Sequence, residues 1–278
     1  MECLVGGVPI YYETSGIGVP IVAIHGNPTD HRAMKGCMEP VFANRPGWQR
    51  IYFDLPGMGR TPGSKQIKST DDILDLVLDF IETILPGQHF LLAGESYGGY
   101  LSRGVLLRKF EQVEGMALIC PLMVSDVQKR DRPPRTVLVN NPHLLASLDS
   151  TDAELFRSIA VVQDRDNWEH FRDEVLPGIR VADTTFLHTI SQRYGYSFDV
   201  DHLPQPFSKP VVILTGRQDS LVGYRDAWHL LENYPRATFA VLDRAGHNAH
   251  NEQHQVFNAI LGDWLDRVQE VLQKDGLK

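Results

Sequence analysis

The sequence of 278 residues predicts an α/β fold, in which a mostly parallel central sheet is flanked by helices and carries a helical insertion. Short, almost wholly apolar runs such as 21–24 and 50–53 end in polar loops, and such strands are typical of a parallel sheet that helices cover on both faces. The segment 121–206 is rich in charge, proline and helix-like patterns and has no clear parallel strand. We therefore expect a core of residues 1–120 and 207–278 that is interrupted by this insertion.

Local sequence patterns predict the first hairpin and an early helix. Residues 2–14 alternate around a Gly-Gly pair, which predicts a β-hairpin. Pro9 favours an edge position because proline cannot donate a hydrogen bond to a neighbouring strand. A helix is expected at about 70–85, where two aspartates at the start suit the positive end of the helix dipole.

Further along the chain, predicted strands and predicted helices alternate. Apolar runs predict four further strands, at 90–93, 116–119, 211–214 and 238–242. Apolar residues at three-to-four spacing predict a helix at 100–108 and another, within the insertion, at 153–159.

Composition excludes several classes of protein. The net charge of -8 argues against a nucleic-acid partner, since such proteins usually carry a basic face. No run of about 18 apolar residues predicts a membrane span, and the first residues do not resemble a signal peptide. Cys3, Cys37 and Cys120 are too widely spaced for a disulfide framework or a zinc motif. We expect a soluble cytoplasmic protein, and the sequence favours no oligomeric state.

Residues 94–99, GESYGG, are the most informative stretch because they follow an apolar strand and precede a predicted helix. A sharp strand-to-helix turn holds Ser96 in a strained backbone conformation. Side chains two residues away on either side would collide, so Gly94 and Gly98 are needed. The stretch therefore predicts a nucleophile elbow with Ser96 as the nucleophile.

A serine hydroxyl is a poor nucleophile at neutral pH, so Ser96 needs a general base and a carboxylate that orients this base. Asp219 follows the strand 211–214 and His247 follows the next strand, so both are expected at the carboxyl edge of the sheet, where ligands bind. Asp243 is the alternative carboxylate, but it lies in the same loop as His247 and only four residues before it. Ser96, His247 and Asp219 are therefore the predicted catalytic residues.

With these motifs the chain resembles the α/β-hydrolase superfamily, in the branch of serine hydrolases that carry a helical cap between the sixth and seventh core strands. The order serine, aspartate, histidine is the order of that family. Residues 25–28, HGNP, resemble its His-Gly-x-Pro oxyanion loop, and residues 54–61, DLPGMGRT, resemble its D-x-x-G-x-G-x-S/T loop. The resemblance covers essentially the whole chain and implies an α/β-hydrolase fold with 121–206 as the cap.

The resemblance also implies roles for two backbone groups. The N–H groups of Asn27 and Tyr97 are expected to form the oxyanion hole, which stabilises negative charge on a carbonyl oxygen. Pro28 cannot donate a hydrogen bond, so Asn27 is the donor expected in its loop. His25 is interpreted as a structural hydrogen-bonding residue at the end of its strand.

The sequence thus predicts a cofactor-independent, carboxylesterase-like hydrolase of small-molecule acyl substrates, which acts through an acyl-enzyme. A carbon–carbon bond hydrolase and a proline iminopeptidase-like enzyme are the enzymatic alternatives. A ligand-binding relative without activity is the alternative from another class. Haloalkane dehalogenases and epoxide hydrolases have similar oxyanion loops but use an aspartate where this chain has Ser96, so their reactions are not expected.

Two other groups of chemically reactive residues are interpreted as structural. The spacing of His247, His250 and His254 suggests zinc, but the helix-like 251–254 would place the last two on a solvated face, so no metal is predicted. Cys120 is interpreted as a small buried hydrophobe rather than as a second nucleophile.

Two features of the insertion are open to two interpretations. The charged cluster 129–135 is interpreted as solvated, with attraction of a carboxylate-bearing substrate as the alternative. Four apolar side chains could line an acyl pocket or could only pack the insertion against the core. They are Trp168, Phe171, Phe186 and Leu187.

Overall fold

The structure, a computed structural model, describes residues 1–274 and 276 and contains a sheet of eight strands. The strands are Glu2–Val5 (β1), Val8–Ser15 (β2), Gly18–Ile24 (β3), Gly47–Phe53 (β4), Phe90–Glu95 (β5), Val113–Ile119 (β6), Val211–Gly216 (β7) and Ala237–Leu242 (β8). They lie side by side in the order β1-β2-β4-β3-β5-β6-β7-β8. The strands from β4 to β8 in this order are parallel, whereas β1 and β2 are antiparallel to their neighbours, which confirms the predicted mostly parallel sheet.

Helices connect the strands and cover both faces of the sheet. They are His31–Phe42 (α1), Thr70–Ile84 (α2), Tyr97–Arg108 (α3), Pro142–Ser147 (α4), Ser150–Ile159 (α5), Arg165–His170 (α6), Leu176–Val181 (α7), Thr184–Ser191 (α8), Arg225–Trp228 (α9), Ala249–Glu252 (α10) and His254–Lys274 (α11). Short 3₁₀ helices lie at Val127–Lys129 and His229–Asn233, and a π-helix at Phe171–Val175 joins α6 to α7. Within the described residues, no helix is both long and apolar enough to cross a membrane.

The N-terminal hairpin forms as predicted and explains the position of its proline. Gly6 and Gly7 have positive φ angles of 54° and 81°, and they turn the chain between β1 and β2. Pro9 lies in the half of β2 that pairs with β1 alone, because only residues 12–15 of β2 pair with β4. The missing N–H of Pro9 therefore leaves no gap in the pairing with β4.

The core consists of two apolar layers, one on each face of the sheet. Successive residues of a strand point to opposite faces, so Val22 packs with α2 and α3 whereas Ala23 packs with α1 and α11. The helix α1 is not predicted by the sequence because Gly36 and Pro40 lie inside it and lower its helix propensity. Burial of its apolar side chains, Met38 among them, stabilises it instead.

The helical insertion, α4 to α8, lies between the end of β6 and the start of β7, where the resemblance implies a cap. It has an apolar cluster of its own, in which Phe156, Trp168 and Phe171 pack with ring centroids 5.4–6.1 Å apart. Its one β-bridge in the described part of the chain joins Val139 to Val162. The insertion is therefore helical, as predicted, and partly stabilised by its own core.

Glu252 connects the insertion to the loop of His247. One carboxylate oxygen accepts hydrogen bonds from the N–H groups of Val161 (2.5 Å) and Val162 (3.0 Å), and the other accepts one from Gly246 (2.5 Å). All three hydrogen bonds are buried. A single carboxylate thus satisfies donors on both sides of the junction between the insertion and the core.

We expect Glu252→Ala to lower the free energy of unfolding by about 2–4 kcal/mol, because it leaves three buried N–H groups without an acceptor. Urea denaturation followed by circular dichroism measures this change. Glu154→Ala, which removes an exposed glutamate of α5, is the matched control and should change the stability by less than about 0.5 kcal/mol. Equal stability of the two variants would show that the Glu252 carboxylate does not connect insertion and core.

Candidate active site

Ser96 lies at a sharp turn between β5 and α3. Its φ of 51° and ψ of -115° are strained for a residue with a side chain. A Cβ atom at Gly94 would overlap the carbonyl oxygen of Gly98, and one at Gly98 would overlap that of Ile24. The Ser96 N–H donates to the carbonyl of Ile119 (2.9 Å), which fixes the turn against β6. The predicted need for two glycines therefore has a direct steric cause.

A continuous chain of hydrogen bonds joins the three side chains that the sequence singled out. Ser96 Oγ lies 2.8 Å from His247 Nε2, and His247 Nδ1 lies 2.9 Å from Asp219 Oδ2. The other oxygen of Asp219 accepts hydrogen bonds from the N–H groups of Leu221 (2.9 Å) and Val222 (3.0 Å). Asp219 is fully buried, so these two bonds fix its carboxylate while it holds the histidine ring.

Asp243, the alternative orienting carboxylate, lies away from the histidine. Its side chain is exposed and accepts a hydrogen bond from the Gln218 amide (2.8 Å). The Gln218 carbonyl oxygen in turn accepts one from the N–H of Ala245 (3.1 Å). Asp243 thus helps to order the loop that carries His247 without contacting its ring.

A second carboxylate, Glu95, also faces the histidine. Glu95 Oε1 lies 3.4 Å from His247 Nε2, on the same side of the ring as Ser96. Burial raises the pKa of Glu95 to about 7. Sequence reasoning did not single out Glu95, although its position between Gly94 and Ser96 in the elbow was the available signal.

His247 is strongly basic in this setting. Burial by itself would lower the pKa of His247, but the charge and hydrogen bond of Asp219, together with the charge of Glu95, outweigh burial and raise the pKa to about 9. The imidazolium form is therefore stabilised, and the neutral ring, which is the form that can accept a proton from a neighbouring hydroxyl, becomes more populated as the pH approaches 9.

Asn27 and Tyr97 lie at the carboxyl ends of the adjacent strands β3 and β5. Asn27 is joined to Pro28 by a cis peptide, and its side-chain amide donates to the Tyr194 hydroxyl (3.4 Å). Tyr97 is the first residue of α3, so its N–H has no carbonyl acceptor within the helix. The Tyr97 ring stacks on Tyr194 at 4.8 Å, which fixes the start of this helix.

His25 has the structural role that the sequence suggests. The N–H of Leu55 donates to His25 Nε2 (3.0 Å), so Nδ1 carries the proton and donates to the carbonyl of Gly26 (2.8 Å). Burial lowers the pKa of His25, which keeps the ring neutral. The residue ties two loops at the carboxyl edge of the sheet together.

A cavity of about 240 Å³ opens in front of Ser96 and His247. Polar groups on its wall include Asn27, Glu95 and Tyr194. Much of the remaining wall is apolar and comes from both the core and the insertion: Leu122, Ile159, Val175, Ile179, Leu221 and Val222. The cavity therefore combines a reactive polar end with an apolar wall, which is typical of a small-molecule site.

The four aromatic and aliphatic residues that could have lined an acyl pocket have a packing role instead. Trp168 and Phe171 belong to the apolar cluster of the insertion, and Phe186 and Leu187 pack against the core of the sheet. None of the four lies on the wall of the cavity. Local sequence cannot distinguish these residues from Ile159 and Ile179, which do line the cavity, because all of them lie in helical segments of the insertion.

The prediction that His250 lies on a solvated face is wrong. Its side chain is only 3% exposed and lies on the cavity wall, because α10 starts directly after the His247 loop and turns inward. Burial lowers the pKa of His250 to about 3, so the ring is neutral. His254 is partly exposed at the start of α11, and within the described residues it does not converge with His247 and His250 on a common point.

Cys120 lies in the core, whereas Arg130 lies on the wall of the cavity. Cys120 is fully buried, and burial raises the pKa of its thiol well above the usual range, which agrees with a small buried hydrophobe. The charged cluster 129–135 is largely solvated, but Arg130 is half-buried on the cavity wall. The interpretation of a solvated cluster is therefore wrong for Arg130.

Comparisons with known proteins agree with this architecture. The model of the alpha/beta hydrolase family matches residues 21–260. The chain is 26% identical to a pimeloyl-acyl-carrier-protein methyl ester esterase of Aeromonas hydrophila, over 90% of this chain and 96% of the esterase. It is 23% identical to a 2-hydroxy-6-oxononadienedioate/2-hydroxy-6-oxononatrienedioate hydrolase of Paraburkholderia phymatum, over 92% of this chain and 90% of that hydrolase.

Solved structures show the same fold. An alpha/beta superfamily hydrolase from Oenococcus oeni PSU-1 superposes with a TM-score of 0.88 at 28% identity, over 97% of this chain and 99% of that one. A thermophilic esterase from Thermogutta terrifontis superposes with a TM-score of 0.71 at 17% identity, over 96% and 98% of the two chains.

We expect Glu95→Gln to lower the pKa of His247, because the substitution removes a negative charge that stabilises the imidazolium. The ring would then lose its proton at a lower pH than in the unchanged protein. An NMR titration of the imidazole nitrogens measures this directly and does not depend on a substrate. Glu154→Gln, an exposed position of α5 off the cavity wall, should leave the titration unchanged, and an unaltered His247 pKa in Glu95→Gln would contradict the proposed coupling.

Proposed function

We propose that this chain, which belongs to the alpha/beta hydrolase family, is a serine hydrolase that cleaves an ester bond of a small acyl substrate through an acyl-enzyme. The observation that carries the proposal is the chain of hydrogen bonds from Ser96 through His247 to Asp219, at the end of an accessible cavity. In such an arrangement the histidine that acts as the base contacts the serine hydroxyl, and the aspartate already holds the histidine ring in the required orientation. Both relatives described above are hydrolases, and one is named as an ester esterase.

In the proposed first step Ser96 Oγ attacks the substrate carbonyl while His247 Nε2 accepts the hydroxyl proton. The Nδ1–H of the ring donates to Asp219, which leaves the lone pair of Nε2 directed at Ser96. Asp219 also stabilises the imidazolium that forms. The raised pKa of His247 stabilises the imidazolium that this transfer forms, and the neutral ring, which alone can accept the proton, becomes the major form only above about pH 9.

The tetrahedral intermediate carries a negative oxygen, for which we propose the backbone N–H groups of Asn27 and Tyr97 as donors. Their positions just after the adjacent strands β3 and β5, and the N–H at the start of α3 that has no acceptor within the helix, support this assignment. Loss of one such donor typically lowers the rate by about 100- to 1000-fold. The positive end of the α3 dipole acts in the same direction.

In the second half of the reaction His247 returns its proton to the leaving alcohol, and the alcohol departs. A water molecule then attacks the acyl-enzyme while His247 accepts its proton, and the ring returns this proton to Ser96 Oγ as the acyl C–Oγ bond breaks and the acid is released. The bond cleaved is the acyl C–O bond of the ester. Each proton that leaves a nucleophile is thus transferred through the same ring nitrogen.

Hydrolysis of an activated carbon–carbon bond is a second candidate. The observation that favours it is the similarity to the Paraburkholderia phymatum hydrolase, whose named substrate is an oxo-dienedioate. A ligand-binding protein without activity is the alternative from another class, and an intact set of serine, histidine and aspartate side chains argues against it.

A fluorophosphonate probe tests the nucleophile. We expect the purified protein to be labelled at Ser96 alone, because the probe reacts only with an activated serine. Ser96→Ala should abolish labelling, and His247→Ala should slow it by several orders of magnitude, as read by intact mass and peptide mapping. Labelling that persists in Ser96→Ala would contradict the assignment, and an unlabelled, folded protein that hydrolyses no ester would favour the ligand-binding alternative.

A matched pair of substitutions tests the orienting carboxylate. We expect Asp219→Asn to lower kcat by about 10³- to 10⁴-fold, since an amide N–H facing Nδ1 favours the tautomer that cannot accept the serine proton. Asp243→Asn should leave kcat within about threefold of the unchanged enzyme, because Asp243 does not contact the ring. Steady-state kinetics on a short-chain ester measures both, and a larger loss in Asp243→Asn would reverse the assignment.

A further inference from the structure

Arg130 is a cation that the protein partly buries without a carboxylate partner. Its guanidinium donates only to main-chain carbonyls, those of Val124 (2.7 Å), Ser125 (3.1 Å) and Leu221 (3.1 Å). Among residues 1–274 and 276, no carboxylate oxygen lies within ion-pair distance of it. Carbonyl dipoles orient the group but do not neutralise its charge.

Asp219 and Asp126 attract Arg130 only from beyond ion-pair distance, and their charges do not outweigh its burial. Asp219 and Glu95 both lie next to His247, so the negative charge near the serine is directed at the histidine ring. Burial lowers the pKa of Arg130, the direction expected for a cation that lacks a counterion. One wall of the cavity therefore presents an unpaired positive charge.

The guanidinium also has unused hydrogen-bonding capacity. Arginine has five N–H donors, and three of those of Arg130 are used by the carbonyls. Each of its two terminal nitrogens retains one free N–H. Two free donors and one charge match a carboxylate, which accepts hydrogen bonds from arginine through both oxygens.

We propose that Arg130 binds a free carboxylate of the substrate, so that the protein acts on half-esters of small dicarboxylic acids. This inference rests on the proposed function, because it places the ester at Ser96 and the carboxylate at Arg130 in one cavity. The cavity of about 240 Å³ suits a short chain between the two groups, and the apolar wall, with Ile179 among its residues, contacts that chain.

Matched esters test the inference. The anionic substrates are the monomethyl esters of succinic, glutaric and adipic acid, and each is compared with the neutral methyl ester in which a methyl group replaces the carboxylate. We expect the unchanged enzyme to have a higher kcat/KM for an anionic ester than for its neutral counterpart. Arg130→Gln should lower kcat/KM for that anionic ester by about 10- to 100-fold and change the neutral value by less than about threefold.

The charged cluster itself provides the control. Arg132 is exposed, lies off the cavity wall and also donates to a main-chain carbonyl, that of Ser220 (3.3 Å). We expect Arg132→Gln to keep the preference for the anionic ester. An equal loss for anionic and neutral esters in Arg130→Gln would show that Arg130 only connects two loops, and it would overturn the inference, as would an unchanged enzyme with no preference.

A binding measurement separates this inference from the proposed function. Ser96→Ala should bind monomethyl glutarate in isothermal titration calorimetry, and Ser96→Ala with Arg130→Gln should bind it at least tenfold more weakly. Such binding without fluorophosphonate labelling of the unchanged protein would support the carboxylate site and contradict the serine hydrolase. Labelling of Ser96 without binding that depends on Arg130 would support the hydrolase and overturn the carboxylate site.

Discussion

The geometry of the site follows from the strained backbone turn at Ser96. This turn places the serine hydroxyl at the carboxyl edge of the sheet, and it is possible only because Gly94 and Gly98 let the start of α3 approach β3 closely. The hydrogen bond from the Ser96 N–H to β6 and the buried strands on either side keep the backbone in this conformation. The packing and hydrogen bonds of the sheet therefore offset the cost of the unfavourable backbone conformation at Ser96.

The electrostatics of the site follow from burial. Asp219 is fully removed from water, which is unfavourable for a carboxylate unless its oxygens are satisfied, and two backbone N–H groups and the His247 ring satisfy them. This arrangement outweighs the burial of His247 and makes the ring basic. Glu95 adds a second negative charge on the side of the nucleophile, so the histidine lies between two carboxylates. These charges stabilise the imidazolium that forms when the ring accepts a proton.

The core and the insertion contribute different parts of the site. The loops of the sheet position the serine, histidine and aspartate, whereas the insertion supplies the wall opposite them, including Arg130 and Ile179. Glu252 connects the two parts through hydrogen bonds to both the insertion and the His247 loop. Substitutions in the insertion can thus change the shape and charge of the cavity without moving the reactive side chains.

The parallel sheet, the helical insertion and the elbow at Ser96 can be predicted from the amino-acid sequence, because they depend on local patterns: apolar runs, turn residues and the steric need for glycine. Only the tertiary structure revealed α1, the burial of His250 and the positions of Glu95 and Arg130 on the cavity wall. Each of these depends on contacts between residues far apart in the chain. A helix with an internal proline forms because its apolar face is buried, and a charged side chain becomes part of a cavity because of what packs around it.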